Sequence, residues 1–196
     1  MRALVQIDGQ NLLHLARVAW APTPRRRSSP YEWPSYDVVK LAQALVDART
    51  GRELVEVRFY TGVPERAANR FWHDFWTNKL RHLANQGVHV YRGRVSAGRQ
   101  EKGVDVSLAV DLVQATHEQR YDVSIIVSQD TDFGPAVRLA KTVAQAQSRQ
   151  LVFESAFPSS RRVRSSRGVP GTTWLPIDKA MYDACRDLRD YRAQRH

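Results

Sequence analysis

The chain has 196 residues, with 30 lysines and arginines against 20 aspartates and glutamates, so its formal net charge of +10 favours a polyanionic partner such as a nucleic acid. One cysteine, Cys185, excludes an internal disulfide and a cysteine-based zinc site and suits a reducing cytosol. No segment approaches the roughly 18 apolar residues of a membrane span, and the amino-terminal apolar run is too short for a signal peptide, so we expect a cytoplasmic protein without a membrane partner.

The first predicted unit is a buried strand that ends in an acid. Residues 3–7 form a largely apolar run, which predicts a strand of a parallel sheet. Asp8 follows, and Gly9 permits a sharp turn or a close approach of the backbone. A short helix is predicted over 12–19, with Asn11 as one candidate for its cap. Asp8 is hard to explain by structure alone, because a carboxylate at the end of a buried strand needs a partner.

A proline-rich segment at 22–34 predicts a loop. Its arginines lie near two aromatic residues, Tyr31 and Trp33, and two interpretations are open. The rings could cover the core, or the segment could be a nucleic-acid arm whose guanidinium groups contact phosphates while a ring stacks on a base. The basic residues concerned are Arg25, Arg26 and Arg27.

Alternating helices and strands continue the chain. We predict a helix over 38–46, a strand over 54–60, a helix over 65–86 and a strand over 88–91. The second helix carries an aromatic stripe, which we interpret as core and not as a base-stacking surface. A turn-like stretch after residue 91 is rich in cations, namely Arg92, Arg94, Arg99 and Lys102.

A further helix is predicted to begin at Val104. Asp105 lies in its first turn, where a carboxylate also complements the helix dipole, so a purely structural role stays open. Asp111 lies farther along the same helix. The sequence does not decide its role, although a solvated surface position is favoured.

The second unit of strand, acid and helix covers residues 123–135. A β-branched run over 123–127 predicts a strand buried on both faces. A polar turn then holds Ser128, Asp130 and Asp132 before a helical pattern resumes. Asp132 could cap that helix, and Ser128 could be an ordinary turn residue.

The carboxyl-terminal part of the chain is basic. We predict a last strand over 151–154, a mobile basic loop over 155–171 and a closing helix over 178–195 with Cys185 buried on its apolar face. Residues 161–196 hold nine basic and four acidic residues. The candidate nucleic-acid-binding residues in this part are Arg161, Arg162 and Arg164. We expect residues 1–155 to form the main domain and 156–196 to pack on it.

The order of elements predicts an α/β sandwich with a mainly parallel sheet. In such a sheet the strand ends and helix starts converge on one edge, where ligands bind. Four acids occupy such positions. They are Asp8, Asp105, Asp130 and Asp132. Hard oxygen ligands without histidine or cysteine suit Mg²⁺ or Mn²⁺ better than Zn²⁺. Such a cluster can orient and activate a water and stabilise charge on a phosphodiester.

Three motifs of the chain resemble the NYN domain, a PIN-like nuclease group that includes bacterial proteins of the LabA type. They are Ile-Asp-Gly-Gln-Asn-Leu at 7–12, the stretch from Lys102 to Leu112, and Val-Ser-Gln-Asp-Thr-Asp-Phe at 127–133. The match spans roughly residues 1–155 and is specific, because the three motifs occur in the right order. It departs at Gln129, where many relatives have glycine, and in the 22–34 insertion and the 156–196 extension.

The resemblance implies a PIN-like three-layer α/β/α fold, dependence on Mg²⁺ or Mn²⁺, and cleavage of RNA. By position, the four acids named above become metal ligands and catalytic residues. Asn11 and Ser128 would support those ligands or position a water, and are included among the catalytic candidates.

The leading hypothesis is a metal-dependent ribonuclease, expected to be an endonuclease, that hydrolyses RNA with a metal-activated water. The alternative is a PIN-like module that binds RNA or a protein without cleaving. Asp-Thr-Asp as a metal–nucleotide motif of a glycosyltransferase leaves Asp8 and Asp105 unexplained, and a Toprim-type DNA enzyme would require a glutamate at position 8. The sequence is compatible with a homo-oligomer and does not decide it.

Overall fold

The computed structural model describes residues 1–26, 28–95, 101–163 and 167–192. Three of the predicted nucleic-acid-binding residues lie outside these described residues. They are Arg27, Arg99 and Arg164.

Seven strands of the described chain form one sheet. They are β1 (Arg2–Asp8), β2 (Glu53–Pro64), β3 (His89–Val95), β4 (Glu101–Lys102), β5 (Val123–Val127), β6 (Val152–Pro158) and β7 (Thr173–Ile177). Their order across the sheet is β4-β3-β2-β1-β5-β6-β7. Six strands are parallel, and β4 pairs antiparallel with β3. The prediction of a mainly parallel sheet is therefore confirmed.

Helices cover both faces of this sheet. They are α1 (Gly9–Trp20), α2 (Val38–Asp47), α3 (Arg70–Asn85), α4 (Val104–His117), α5 (Gly134–Ala146) and α6 (Lys179–Ala184), with 3₁₀ turns at Pro30–Glu32 and Thr131–Phe133. One core joins the sheet to α1, α2, α3 and α6, and the other joins it to α4 and α5. The predicted three-layer α/β/α sandwich is confirmed.

The central strand explains why the apolar runs are continuous. In β1, Ala3, Val5 and Ile7 belong to the core of the first helix layer, whereas Leu4 belongs to the core under α4 and α5. Alternate side chains of a strand point to opposite faces, and both faces are covered here.

Several element boundaries differ from the predictions. β2 continues past Gly62 to Pro64, and β3 runs on to Val95, because the two strands pair in register up to that point. α3 begins at Arg70 and not at residue 65. Asn69 provides its cap, since the Asn69 side chain accepts a hydrogen bond from the backbone N–H of Trp72 at 3.1 Å.

The predicted loop over 155–171 is partly wrong. β6 extends to Pro158, across the expected domain boundary, and β7 adds a further strand at the edge of the sheet. Val169 is fully buried, and its backbone N–H donates to Ser155 Oγ at 3.0 Å. The described end of this segment therefore packs against β6.

The predicted closing helix is also too long. α6 ends at Ala184, and the next residues turn back to cover α3. There Lys79, which is 0% exposed, donates from Nζ to the carbonyl oxygens of Pro34 and Tyr36, both at 2.9 Å, and to Asp187 Oδ2 at 3.2 Å. The Tyr191 hydroxyl donates to the same Asp187 oxygen at 2.7 Å. This buried ion pair holds the segment after α6 against α3.

Among the described helices, none has both the length and the apolar character needed to cross a bilayer.

Candidate active site at the carboxyl edge of the sheet

Asp8 closes the central strand and is only 5% exposed. Its Oδ1 accepts a hydrogen bond from the backbone N–H of Asn11 at 3.0 Å, so Asp8, and not Asn11, caps α1. Gly9 is required because a Cβ atom there would lie 2.5 Å from the ring of Phe59. The acid is therefore fixed where α1 starts against β2.

Asn11 and Ser128 join the ends of β1 and β5. The side-chain oxygen of Asn11 accepts from the backbone N–H of Gln129 at 3.1 Å. Ser128, 1% exposed, donates from Oγ to Asp8 Oδ2 at 3.3 Å and accepts from the backbone N–H of Asp130 at 3.1 Å. Both supporting residues predicted from the sequence are thus in contact with the two acidic turns.

Asp130 and Asp132 follow β5 in a 3₁₀ turn. Asp130 Oδ1 accepts from the backbone N–H of Asp132 at 2.9 Å, so Asp130 provides the cap. The alternative in which Asp132 caps the following helix is wrong, because the N-terminal residue of α5 has no side-chain cap. The side chain of Asp132 is exposed.

Asp105 lies in the first turn of α4 and reaches the same edge. Partial burial raises the pKa of its carboxyl above the usual 3.8, and the negative charges of Asp130 and Asp132 raise it further. Asp105 is therefore close enough to Asp130 and Asp132 to be repelled by both. A helix-dipole role does not account for this arrangement, because the dipole would favour the charged form.

A chain of buried polar side chains sets the position of α4, and most of it is not evident from sequence patterns. Gln6 Nε2 donates to the Tyr60 hydroxyl at 3.0 Å and to the carbonyl oxygen of Leu108 at 3.3 Å. The Tyr60 hydroxyl donates to Asp111 Oδ2 at 2.8 Å. Asp111, left open above, is thus tied to β2. The sequence signal for this network is Gln6, a polar residue inside an otherwise apolar strand.

The sequence profile of the NYN domain family matches residues 2–161 of the chain. The chain belongs to the NYN domain family. NYN domains are PIN-like, nuclease-type domains.

A solved structure has the same fold as this NYN domain. It is a protein of unknown function from Vibrio parahaemolyticus, with a TM-score of 0.53 over 91% of this chain and 93% of that one. Sequence identity is 17%, so the likeness concerns the fold alone. A search of functionally curated proteins gave no significant match.

Basic residues flank the acids of the NYN domain on the β3–β4 side. Arg94 and Lys102 are register partners, and both side chains are exposed. Gly103, with a φ of +82°, then reverses the chain into α4. Lys102 and Asp105 therefore lie on either side of one glycine turn.

A second basic group lies beyond β6. Arg162 Nη1 donates to the carbonyl oxygen of Ala21 at 2.7 Å, which brings the turn after β6 to the start of the proline-rich loop. The exposed residues of this group are Arg25, Arg26, Arg161 and Arg162. Of these, Arg25 also lies 3.7 Å from Glu32.

The two aromatic residues of the loop behave differently. Tyr31 is buried, with its ring centroid 5.7 Å from that of Trp20, as the core-covering interpretation requires. Trp33 stays partly exposed and packs on Phe71 and Trp72 of α3, at centroid distances of 5.8 and 5.4 Å. A cavity of about 360 Å³ lies between the loop and the segment after α6, with Trp33, Phe75, Asp187 and Tyr191 among its lining residues.

The donor chemistry of the acidic edge fits a hard divalent cation. Its side chains supply carboxylate, amide and hydroxyl oxygens, and the repulsion of Asp105 by Asp130 and Asp132 favours a positive charge between them. Within the described ranges, however, no three acidic, histidine or cysteine side chains are close enough to enclose an ion. Binding would therefore require small side-chain movements of residues such as Asp105 and Asp132.

Proposed function

We propose that this NYN domain is a Mg²⁺- or Mn²⁺-dependent ribonuclease, with the mode of an endonuclease. The proposal is supported by the positions of Asp8, Asp105, Asp130 and Asp132 at strand ends and helix starts on the carboxyl edge of the sheet, where partial burial and the charges of Asp130 and Asp132 raise the pKa of Asp105. Nuclease-type chemistry is the character of the family, and four hard ligands at this edge agree with it.

The acids would have different roles in binding a metal ion, because their surroundings differ. Asp8 is buried and hydrogen-bonded, so it would be a fixed ligand. Asp105 and Asp132 are exposed and can adjust to an incoming ion. A divalent ion held here would lower the pKa of a water molecule and offset charge on the phosphodiester. Asn11 and Ser128 would keep the turns of β1 and β5 in place.

The basic groups on either side of the acids favour a nucleic acid as the substrate. Arg94 and Lys102 flank one side of the edge, and Arg161 and Arg162 flank the other. Phosphate contacts of this kind hold a strand without reading its sequence. The formal charge of +10 agrees with a polyanionic substrate.

The test is a cleavage assay on labelled single-stranded RNA and matched DNA, with wild type and Asp130→Asn in Mn²⁺, Mg²⁺ or EDTA. We expect metal-dependent cleavage of RNA by wild type alone. The variant should bind RNA as tightly as wild type or tighter, because a negative charge is lost. Equal loss of cleavage and binding would count against the proposal.

A second candidate is a PIN-like module that binds RNA or a protein without cleaving it. The observation in its favour is that no three potential ligands, among the residues that the structure describes, enclose an ion. Binding without cleavage in any metal, by both wild type and Asp130→Asn, would select this candidate.

A further inference from the structure

We propose that Trp33, Phe71 and Trp72, here called the aromatic platform, bind an unpaired base of a single-stranded RNA. The inference rests on the proposed function, because it concerns how the same RNA is held. Its starting point is Phe71, whose side chain is 42% exposed at the start of α3. An exposed phenylalanine supported by two tryptophans is a surface on which a base can stack.

The three rings support one another. Phe71 lies edge-on against Trp33 and Trp72, with centroid distances of 5.8 and 5.3 Å and interplanar angles of 63° and 83°. Trp72 also packs on the core through Phe75, at 5.3 Å. The rings are thus fixed before a ligand arrives, so that little side-chain entropy is lost on binding.

The platform and the acids both lie toward the carboxyl end of the sheet. In the register of the sheet, Asp8 pairs with Tyr60, and β2 continues four residues farther to Pro64, which is roughly 13 Å along the strand. The chain then leads through a short turn to α3 and Phe71. A strand of RNA that crosses the acids could therefore place a neighbouring base on the platform.

The residues around the platform are mainly positively charged, which favours RNA over an apolar protein partner. Arg66 and Arg70 have side chains 60% and 76% exposed, and the single carboxylate of Asp74 lies 3.4 and 3.6 Å from them. Arg92 lies 3.4 Å from the ring of His73. The cations exceed the acids in this set, and phosphates beside a stacked base would meet them.

The aromatic residues of α3 therefore have two roles. Phe75 and Trp76 are buried and belong to the core, as the sequence analysis expected. Phe71 was not part of that stripe, and it faces the solvent. Packing of the core does not require a phenylalanine at this exposed position, because a polar residue there would leave the core unchanged.

The test measures RNA binding in EDTA, where metal-dependent cleavage is absent. The probes are a fluorescent oligoadenylate and an RNA duplex of equal length, and the variants are Phe71→Ala and Phe71→Tyr. Leu139→Ala is the matched control, since Leu139 is 52% exposed on the opposite helix layer. We expect Phe71→Ala to weaken single-strand binding about tenfold. Phe71→Tyr and Leu139→Ala should bind like wild type, and duplex binding should not change, because duplex bases are already stacked.

Wild-type affinity of Phe71→Ala for the single strand would overturn the proposal, and so would an equal loss on the duplex or the same loss in Phe71→Tyr. Failure of the ribonuclease proposal looks different. In that case wild type cleaves nothing with Mn²⁺, while the dependence of binding on Phe71 can still be measured. Circular dichroism of each variant checks that the fold is retained.

Discussion

The segment after α6 and the start of α4 each hold an aspartate, and the electrostatic surroundings of the two aspartates are opposite. Asp187, 8% exposed, accepts hydrogen bonds from Lys79 and Tyr191. Asp105 faces two other carboxylates and forms no ion pair with any described residue. The first arrangement stabilises the fold, and the second opposes it. An aspartate whose charge is balanced by a cation therefore has a structural role here. An aspartate that faces other carboxylates indicates a place that suits a cation.

The largest effect on stability is expected from breaking the buried ion pair of Lys79 and Asp187. Lys79→Met removes the buried cation of Asp187 and leaves only the half-exposed Arg189, 3.4 Å away, so the free energy of unfolding should fall by about 3 kcal/mol in urea denaturation. The double variant Lys79→Met/Asp187→Leu should regain part of that loss, because no charge stays buried. A loss no larger than that of a surface pair, about 1 kcal/mol or less, would refute the assignment.

A smaller effect is expected from removing the hydrogen bond that the Tyr60 hydroxyl donates to Asp111 of α4. Tyr60→Phe removes the hydroxyl between Gln6 and Asp111 and keeps the ring. The free energy of unfolding should fall by about 1–2 kcal/mol. Tyr91→Phe is the matched control, since its ring packs 6.1 Å from that of Tyr60 and its hydroxyl forms no hydrogen bond within the described ranges. Equal losses would contradict the prediction.

A still smaller and opposite effect is expected at the uncompensated acid. Without metal, Asp105→Asn should stabilise the fold by at most about 1 kcal/mol, because a like-charge repulsion is removed at a partly exposed position. Added Mn²⁺ should raise the Tm of wild type and leave that of Asp105→Asn nearly unchanged. A variant that is destabilised without metal, or stabilised by Mn²⁺ as much as wild type, would argue for a structural role.

The two regions should also respond to pH with opposite signs. The pKa of Asp105 is raised, so its contribution to stability falls as the pH rises from 3.8 through its folded value. Burial alone would raise the pKa of Asp187, but Lys79 and Tyr191 lower it, so its contribution is lost as the pH falls below 3.8. Comparing the pH dependence of urea midpoints for wild type, Asp105→Asn and Asp187→Asn tests both signs. The same slope change in both variants would contradict them.

The layers of the fold could be predicted because their signals are local. The β-branched run of β5 and the acid at the end of β1 place strands, turns and the edge of the sheet without long-range information. β7 was missed because Trp174 and Pro176 give no strand pattern. Pro176 is tolerated on an edge strand, where fewer backbone N–H groups must pair.

The acids of the site were predictable, and the contacts that hold them were only partly so. Asn11 and Ser128 were named from the motifs, and the structure places both in contact with the acidic turns. The link from Gln6 through Tyr60 depends on residues far apart in sequence. Lys79 was invisible for the same reason, because its partners come from the proline-rich loop and from the segment after α6.

The burial of Lys79 has a chemical consequence. An amine that is fully buried and hydrogen-bonded cannot react with an acylating reagent until the segment carrying Asp187 and Tyr191 moves away from α3. Lys40 and Lys102 are exposed and would react at once. The acylation rate of Lys79, followed by mass spectrometry, would therefore report how often that segment opens while the rest of the protein stays folded.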